Sequence, residues 1–239
     1  MTATRSVRVS DPAELGGALA GLGIRCGRPV LAVVGGASGL GQQDLAAVTG
    51  LLRYLVPALE RWDAAVVDGG TDSGVMRALG EVREGAAASF PLIGVAAEGT
   101  VVRPDEAGSG AGVELEPRHT HVVLVPGDEW GDEASWLAAV ATAVAGGSPS
   151  ATLVLNGGEL TFVDAEHSLA VDRPLLVVSG SGRTADAIAA AGSGGSADTA
   201  GPADERATRI AASPRTQVVS LDDPAGTLEA LRVSLGGSS

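Results

Sequence analysis

Short runs of β-branched and other apolar residues alternate along the chain with segments whose apolar residues recur every three or four positions. Each short run is apolar on both faces, as expected for a strand buried between two layers of helices. The predicted strands are Val30–Val34, Ala64–Val67, Leu92–Val95, His121–Val125, Thr152–Leu155 and Leu175–Val178, with weaker ones at Val7–Val9 and Gln217–Leu221. The predicted helices are Gly41–Arg61, Gly74–Gly85, Glu133–Ala145, Ala185–Ala190 and Leu228–Leu235, with a short one around Glu166-His167.

This alternation of strand and helix predicts an α/β fold with a doubly wound, mostly parallel sheet in three α/β/α layers. Parallel neighbours need long crossover connections, and the helical segments supply them. Two segments lack periodicity and predict loops: Glu98–Pro117, and a mobile loop at about residues 191–206. We expect one domain over residues 1–239.

Composition narrows the classes of function. The 239 residues include 16 basic and 29 acidic side chains, a formal net charge of −13, which argues against a duplex nucleic-acid binder. Every basic residue is arginine, so Schiff-base chemistry and a Walker-A lysine are excluded. Cys26 is the only cysteine, which excludes an intrachain disulfide. The first residues do not resemble a signal peptide and no apolar run reaches membrane length, so we expect a cytoplasmic protein without a membrane span.

Glycine-rich turns follow four of the predicted strands, at the sheet edge where open parallel sheets bind ligands. Glycine lets backbone N–H groups approach an anion, and a helix N-terminus adds unpaired donors and partial positive charge. Arg183 would add a bidentate charge. Taken singly, a glycine pair is usually only a tight turn; the convergence of all four is the stronger signal. The turns are Gly35-Gly36-Ala37-Ser38-Gly39, Asp68-Gly69-Gly70-Thr71-Asp72-Ser73-Gly74, Asn156-Gly157-Gly158-Glu159 and Ser179-Gly180-Ser181-Gly182-Arg183-Thr184.

Other polar residues admit two interpretations. Residues two apart on a strand face the same side, so His119 and His121 do. They are interpreted either as ligand contacts or as hydrogen-bonded residues at the entrance of the strand. A metal site is disfavoured, because the spacing places no third ligand beside them. Asp132-Glu133 is typical of a helix N-terminus, with contact to a ribose or base as the alternative. Trp130 is interpreted as core or rim packing.

The turn Asp68-Gly69-Gly70-Thr71-Asp72-Ser73-Gly74-Val75-Met76 resembles the GGT-x-x-GVM signature of the LSDAT branch of the SLOG superfamily. That branch includes prokaryotic stand-alone domains and the cytosolic N-terminal region of melastatin-type TRP channels. Further similarities follow in order over about Val30 to Ala190: Pro91–Val95, Glu116-Pro117-Arg118-His119-Thr120-His121, Asn156-Gly157-Gly158-Glu159 and Gly180-Ser181-Gly182-Arg183-Thr184-Ala185-Asp186.

The resemblance implies a Rossmann-like fold that binds a nucleotide-derived ligand, such as ADP-ribose or an NAD-related molecule. From the four converging glycine turns and Arg183 we expect a sensor of such a ligand rather than an enzyme. It places Gly70, Thr71 and Gly74 at the phosphates, Ser181, Gly182 and Arg183 opposite them, and Gly35 and Gly36 at the first turn. Together, the residues and the resemblance make these the candidate ligand contacts: Gly35, Gly36, Ala37, Ser38, Gly69, Gly70, Thr71, Asp72, Ser73, Gly74, His119, Asn156, Gly157, Gly158, Glu159, Gly180, Ser181, Gly182, Arg183 and Thr184.

Two other classes of function stay open. One is a nucleotide N-glycosidic or phosphoribo-hydrolase, with Asp72 or Glu159 as the acid or base. However, the P-G-G-x-G-T-x-x-E motif of the enzymatic SLOG branch is absent. The other is a structural or assembly module, whose partner would be a second copy of the chain or an effector protein.

Overall fold

A computed structural model describes residues 4–36, 41–102, 112–193 and 204–237. Its strands are β1 (Arg5–Arg8), β2 (Val30–Gly35), β3 (Ala65–Asp68), β4 (Leu92–Ala97), β5 (Val101–Val102), β6 (Val113–Glu114), β7 (His121–Val125), β8 (Ser150–Leu155), β9 (Leu175–Ser179) and β10 (Thr216–Ser220). Its helices are α1 (Leu15–Leu22), α2 (Gln42–Arg61), α3 (Gly74–Gly85), α4 (Ala134–Ala145), α5 (Glu159–Ala170), α6 (Arg183–Gly192), α7 (Glu205–Ala211) and α8 (Pro224–Leu235).

Eight strands form one sheet in the order β1-β7-β4-β3-β2-β8-β9-β10. All of the pairings within this sheet are parallel. The chain moves outward from β2 through β3 and β4 to β7, then returns to the centre as β8 and moves outward on the other side. The strand order therefore reverses between β2 and β8.

Each face of the sheet carries its own hydrophobic core. Alternate residues of a strand point to opposite faces, so Val30, Ala32 and Val34 of β2 pack with α1, α4, α5, α6 and α7. Leu31 and Val33 pack with α2, α3 and α8 on the other face. A strand that is buried on both sides must be apolar at every position, which accounts for the continuous apolar runs in the sequence. The structure is a three-layer, Rossmann-like α/β/α fold, and the predicted fold class is confirmed.

The periodicity missed the elements that are short or weakly patterned. Helices α1 and α7 were not predicted, and α5 is longer than the short helix expected around Glu166-His167. Strands β5 and β6 pair in parallel within the segment predicted as a loop. Residues 194–203 of the predicted mobile loop lie outside the described residues, whereas its two ends are helical, in α6 and α7. No helix in the described part of the chain has the length and apolar character needed to cross a bilayer.

Candidate functional site

A cavity of about 490 Å³ opens at the carboxyl ends of the central strands. Gly35 ends β2, and Gly158 follows β8, so the cavity lies where the strand order reverses. Open α/β sheets bind ligands at this position, because the crossover helices diverge there and leave a crevice. The four glycine-rich turns follow β3, β2, β8 and β9, which are consecutive strands of the sheet.

The turn after β3 forms one wall of the cavity, with Gly69, Thr71 and Ser73. Thr71 is buried, and its Oγ1 lies 3.1 Å from the Oγ of Ser73. Ser73 is the N-cap residue of α3 and has an extended backbone. Two hydroxyl groups therefore face the cavity at the start of a 12-residue helix, and hydroxyl and helix-start N–H groups are donors suited to an anion. The N–H of Val75 in this first turn already donates to the carbonyl of Gly36 at 3.3 Å.

The starts of α5 and α6 form a second wall, with Gly158, Glu159 and Arg183. Arg183 is the first residue of α6, and its backbone adopts φ +48°. A Cβ atom on Gly158 would lie 3.1 Å from Nη2 of Arg183, so the guanidinium passes directly over this glycine. Glycine at position 158 thus makes room for the arginine, and a positive charge lies beside the N-terminus of α5.

Two carboxyl groups, those of Glu133 and Asp164, form a third, acidic wall. Glu133 is the N-cap residue of α4, and its Oε2 accepts a hydrogen bond of 3.0 Å from the N–H of Gly131. Asp164 projects from α5, one turn beyond Leu160, which also lines the cavity. Burial, and then the charge of Glu133, raise the pKa of Asp164 to about 7. Asp164 therefore exchanges a proton near neutral pH.

Apolar side chains complete the lining. Leu137 and Met76 are buried beneath the cavity, whereas Trp130 and Leu160 stand at its surface, 48% and 38% exposed. Large side chains of this kind are usually covered, and an exposed indole at a cavity mouth offers a flat face to a ring. Trp130 was interpreted from the sequence as packing; the structure places it in the lining with half of its surface open.

Several predicted contacts lie behind the cavity wall and brace the turns. Asn156 donates from Nδ2 to the carbonyl of Ser181 at 2.7 Å, and its N–H donates to the Oγ of Ser181 at 2.8 Å. Thr184 donates from Oγ1 to the carbonyl of Gly158 at 2.9 Å. These bonds tie the turn after β8 to the turn after β9. The predicted residues that are absent from the lining are Gly70, Asp72, Gly74, His119, Asn156, Gly157, Gly180, Ser181, Gly182 and Thr184.

His119 is the centre of a buried network beneath the turn after β3. Its Nε2 lies 2.7 Å from Oδ1 of Asp68, and its Nδ1 lies 2.9 Å from Oε2 of Glu116, with all three side chains fully buried. Asp68 Oδ1 also accepts the N–H of Gly70 at 2.8 Å, and Arg118 donates from Nη1 to Glu116 at 2.8 Å.

The network holds His119 as a cation. Burial by itself lowers the pKa of His119, but the charge of Asp68 and the hydrogen bonds with Asp68 and Glu116 outweigh it and raise the pKa to about 9. Burial also opposes ionisation of Glu116, yet its bonds with His119 and Arg118 lower its pKa overall. Of the two sequence interpretations, the structure favours a histidine that is hydrogen-bonded at a strand entrance over a ligand contact.

The two carboxylates that the sequence suggested for acid or base catalysis are not buried in the cavity. Asp72 points away from the lining and accepts a 2.7 Å bond from Nε of Arg77. Glu159 lines the rim, but its side chain is 78% exposed and pairs with Arg206 at 2.7 Å. Each carboxyl group is thus paired with an arginine rather than enclosed in the cavity, where a general acid or base would meet its substrate.

Two predicted contacts, Ala37 and Ser38, lie outside the described residues. Several lining residues were missed by sequence reasoning, and Asp164 is the titratable one among them. Its one sequence signal is the spacing of four from Leu160, which places both on one side of a helix that begins at a glycine turn. Among the described residues, no group of three or more histidine, cysteine or acidic side chains could hold a metal ion.

A protein-family model described as "SLOG in TRPM, prokaryote" matches residues 28–229. The match covers most of the chain, including all four turns and every described residue of the cavity lining. The chain belongs to this family. A search of curated proteins found no match. Membership in the SLOG family agrees with the observed fold.

Proposed function

We propose that this SLOG-family protein binds a nucleotide-derived ligand that carries phosphate, such as ADP-ribose or an NAD-related molecule, and acts as a sensor for it. One observation carries the proposal: three helix N-termini and the guanidinium of Arg183 meet in one cavity where the strand order reverses. Helix N-termini bind phosphate through backbone N–H groups, and an arginine adds bidentate, charge-assisted bonds. This arrangement explains how a chain with a net charge of −13 can bind an anion.

The size and lining of the cavity support a ligand larger than a lone phosphate. A volume of about 490 Å³ is in the range of cofactor-sized sites, and such sites combine a mostly apolar lining with a few polar groups. Here the polar groups are at the helix starts and on the acidic wall, and Trp130 stands at the mouth. A nucleotide has matching parts: phosphates, a sugar and a flat base.

Calorimetric titration with ADP-ribose, NAD and AMP tests the proposal. We expect at least one of them to bind the wild-type protein and Arg183→Ala to weaken that binding by about 10- to 100-fold, since a hydrogen bond to a charged group contributes about 1.5–3 kcal/mol. The control is Arg25→Ala, which removes an exposed arginine paired with Asp63, away from the cavity. Absence of binding by all three compounds, or equal affinity of the two variants, would contradict the proposal.

The other two classes of function have less support. A hydrolase that uses Asp72 or Glu159 is disfavoured by the placement of both side chains, since each pairs with an arginine and neither is enclosed. An assembly module is disfavoured because the glycine turns surround a cavity of ligand size.

A further inference from the structure

The acidic wall of the cavity has no evident place in phosphate binding. Glu133 and Asp164 would repel an anion, yet they share the cavity with Arg183 and the helix starts. Asp164 is six residues after Gly158 along α5, and a helix rises about 1.5 Å per residue, so the two positions are about 9 Å apart. The anion-binding and acidic parts of the cavity are therefore separate regions of one site, and a single ligand that fills it meets both.

In the described part of the chain, the carboxyl group of Asp164 has no hydrogen-bond partner. Within the described residues it makes no side-chain hydrogen bond, although it is partly buried against the cavity. A sheltered carboxyl group without a donor is costly, and most such groups in native proteins are hydrogen-bonded. Burial and the negative charge of Glu133 raise the pKa of Asp164 to about 7. The side chain thus faces the cavity ready to accept hydrogen bonds that the described protein residues do not supply.

The chemistry of the donors that fit this wall can be specified. A second phosphate is excluded by charge repulsion from two carboxyl groups. Neutral hydroxyl groups donate to carboxylate oxygens and also accept from a protonated carboxyl group, so they suit Asp164 in either state. A vicinal diol offers two such groups at adjacent carbons, and the sugar of a ribonucleotide carries one beside its phosphate.

We propose that Asp164, assisted by Glu133, binds the 2′,3′-diol of a ribose whose phosphate lies at Arg183 and the helix N-termini. The assignment rests on the proposed function and adds a specificity to it: the cavity selects ribonucleotide-type ligands against those that lack the diol. Glu133 also positions the mouth of the cavity. Its Oε2 accepts a hydrogen bond from the N–H of Gly131, which holds the turn that follows Trp130.

The test compares three probes by calorimetry: ADP, 2′,3′-dideoxy-ADP and inorganic pyrophosphate. We expect wild-type protein to bind ADP about tenfold or more tightly than dideoxy-ADP, since the diol supplies charge-assisted hydrogen bonds. Asp164→Ala should reduce this ratio to about twofold or less and leave dideoxy-ADP and pyrophosphate binding no weaker than in wild type. Asp164→Asn, which keeps one acceptor oxygen, should fall between the two. Glu166→Gln is the matched control on the same helix, because Glu166 pairs with Arg209 outside the lining.

Each contrary result identifies which proposal fails. If pyrophosphate binds and the ratio of ADP to dideoxy-ADP affinity is unchanged in Asp164→Ala, the diol assignment is wrong while phosphate binding stands. The diol assignment is also wrong if wild-type protein does not distinguish the two nucleotides, or if Asp164→Ala strengthens both equally, because the carboxyl group would then act only as a repelling charge. If no probe binds wild-type protein but ADP-ribose, NAD or AMP does, the diol assignment fails and the proposed function stands. If none of the six compounds binds, both fail.

Discussion

Single residues of the same type have different roles in this protein because their surroundings differ. Asp68 ends β3, Asp72 follows it in the same turn, and Asp164 lies in the middle of α5. Asp68 is fully buried and bonded to His119, Asp72 pairs with Arg77 at the surface, and Asp164 faces the cavity without a protein donor among the described residues. Only the last is placed to meet a ligand, and that placement has a cost in stability.

Placing the Asp164 carboxyl group against the cavity destabilises the folded protein, and this loss should depend on pH. Its pKa is about 7 in the folded protein and near 3.8 when unfolded, so the folded state binds more protons between these values. Stability therefore falls as pH rises from about 4 to 7, and the full penalty remains above pH 7. We expect Asp164→Asn to raise the melting temperature at pH 8 by at least about 2 °C, since about 1 kcal/mol shifts it by 2–4 °C in a protein of this size.

The measurement is thermal unfolding followed by circular dichroism at pH 4.5 and pH 8, with Glu166→Gln as the control. The gain from Asp164→Asn should shrink towards pH 4.5, whereas the control should show no comparable trend. An equal gain at both values of pH would mean that the carboxyl group is not held at a raised pKa.

His119 should show a pH dependence in a different range. Its pKa is about 9 in the folded protein and 6.5 otherwise, so the stability it contributes is complete below pH 6.5 and is lost as pH rises through 9. His119→Gln leaves Asp68 and Glu116 buried without their cation. We expect it to lower the free energy of unfolding by about 3 kcal/mol at pH 6, the usual cost of breaking a buried ion pair.

Urea unfolding at pH 6 and pH 9.5 tests this expectation, with His167→Gln as a control outside the network. The loss caused by His119→Gln should be smaller at pH 9.5, because the wild-type histidine is then largely neutral. A loss that is the same at both values would show that the network is held by packing rather than by charge.

The turn after β3 depends on a glycine at position 70. Gly70 has φ +67°, and a Cβ atom there would lie 2.8 Å from the Cα of Gly94 on the neighbouring strand β4. The backbone of the turn thus packs directly on the backbone of the sheet. Gly69, one residue earlier, has open space where its Cβ would be.

This contrast predicts different outcomes for two neighbouring substitutions. Gly70→Ala should lower the free energy of unfolding by about 2 kcal/mol, because it combines an unfavourable φ with a contact between backbones that cannot relax easily. Gly69→Ala should change stability by less than about 1 kcal/mol, although it faces the cavity. Urea unfolding of both variants measures the difference, and equal losses would contradict the proposed packing of Gly70 on Gly94.

For the molecule as a whole, the topology brings distant parts of the chain to one site. The cavity joins residues from Val33 to Arg183, and they come from both halves of the sheet. A ligand that binds there contacts the ends of strands on either side of the reversal, so it should stabilise the whole folded state rather than one segment.

The expected stabilisation follows from mass action. At a concentration 100 times its dissociation constant, a ligand that binds only the folded state adds about 2.7 kcal/mol to the free energy of unfolding. For wild-type protein this corresponds to a rise in melting temperature of roughly 5–11 °C. With ADP-ribose at that same concentration, Arg183→Ala should show a rise several-fold smaller, whereas Arg25→Ala should match wild type. Equal rises in all three proteins would place the bound ligand away from Arg183.

Much of the fold could be predicted because its signals are local. The eight strands of the sheet match apolar runs in the sequence to within about two residues at each end. Strands buried on both faces need continuous apolar runs, and amphipathic crossover helices need a period near 3.6. Helices α1 and α7 were not predicted, because α1 is rich in glycine and alanine and α7 has only seven residues.

The sequence predicted where the glycine turns meet more accurately than which of their residues line the cavity. The four glycine turns do meet at one edge, because parallel strands place all their carboxyl ends on the same side. However, only some residues of each turn line the cavity, and others face the interior. Thr71 and Ser73 line the cavity, whereas Gly70 packs on the sheet and Ser181 bonds to Asn156.

The sequence by itself determined the α/β class, the parallel sheet, the family and the edge of the sheet at which the glycine turns meet, since each is encoded in residues that are near one another in the chain. Only the tertiary structure decided the strand order, the burial of His119 between Asp68 and Glu116, and the meeting of Glu133 and Asp164 with Arg183 in one cavity. These depend on contacts between residues from different elements, and the burial and charge that give each carboxyl group its role arise only when those elements pack together.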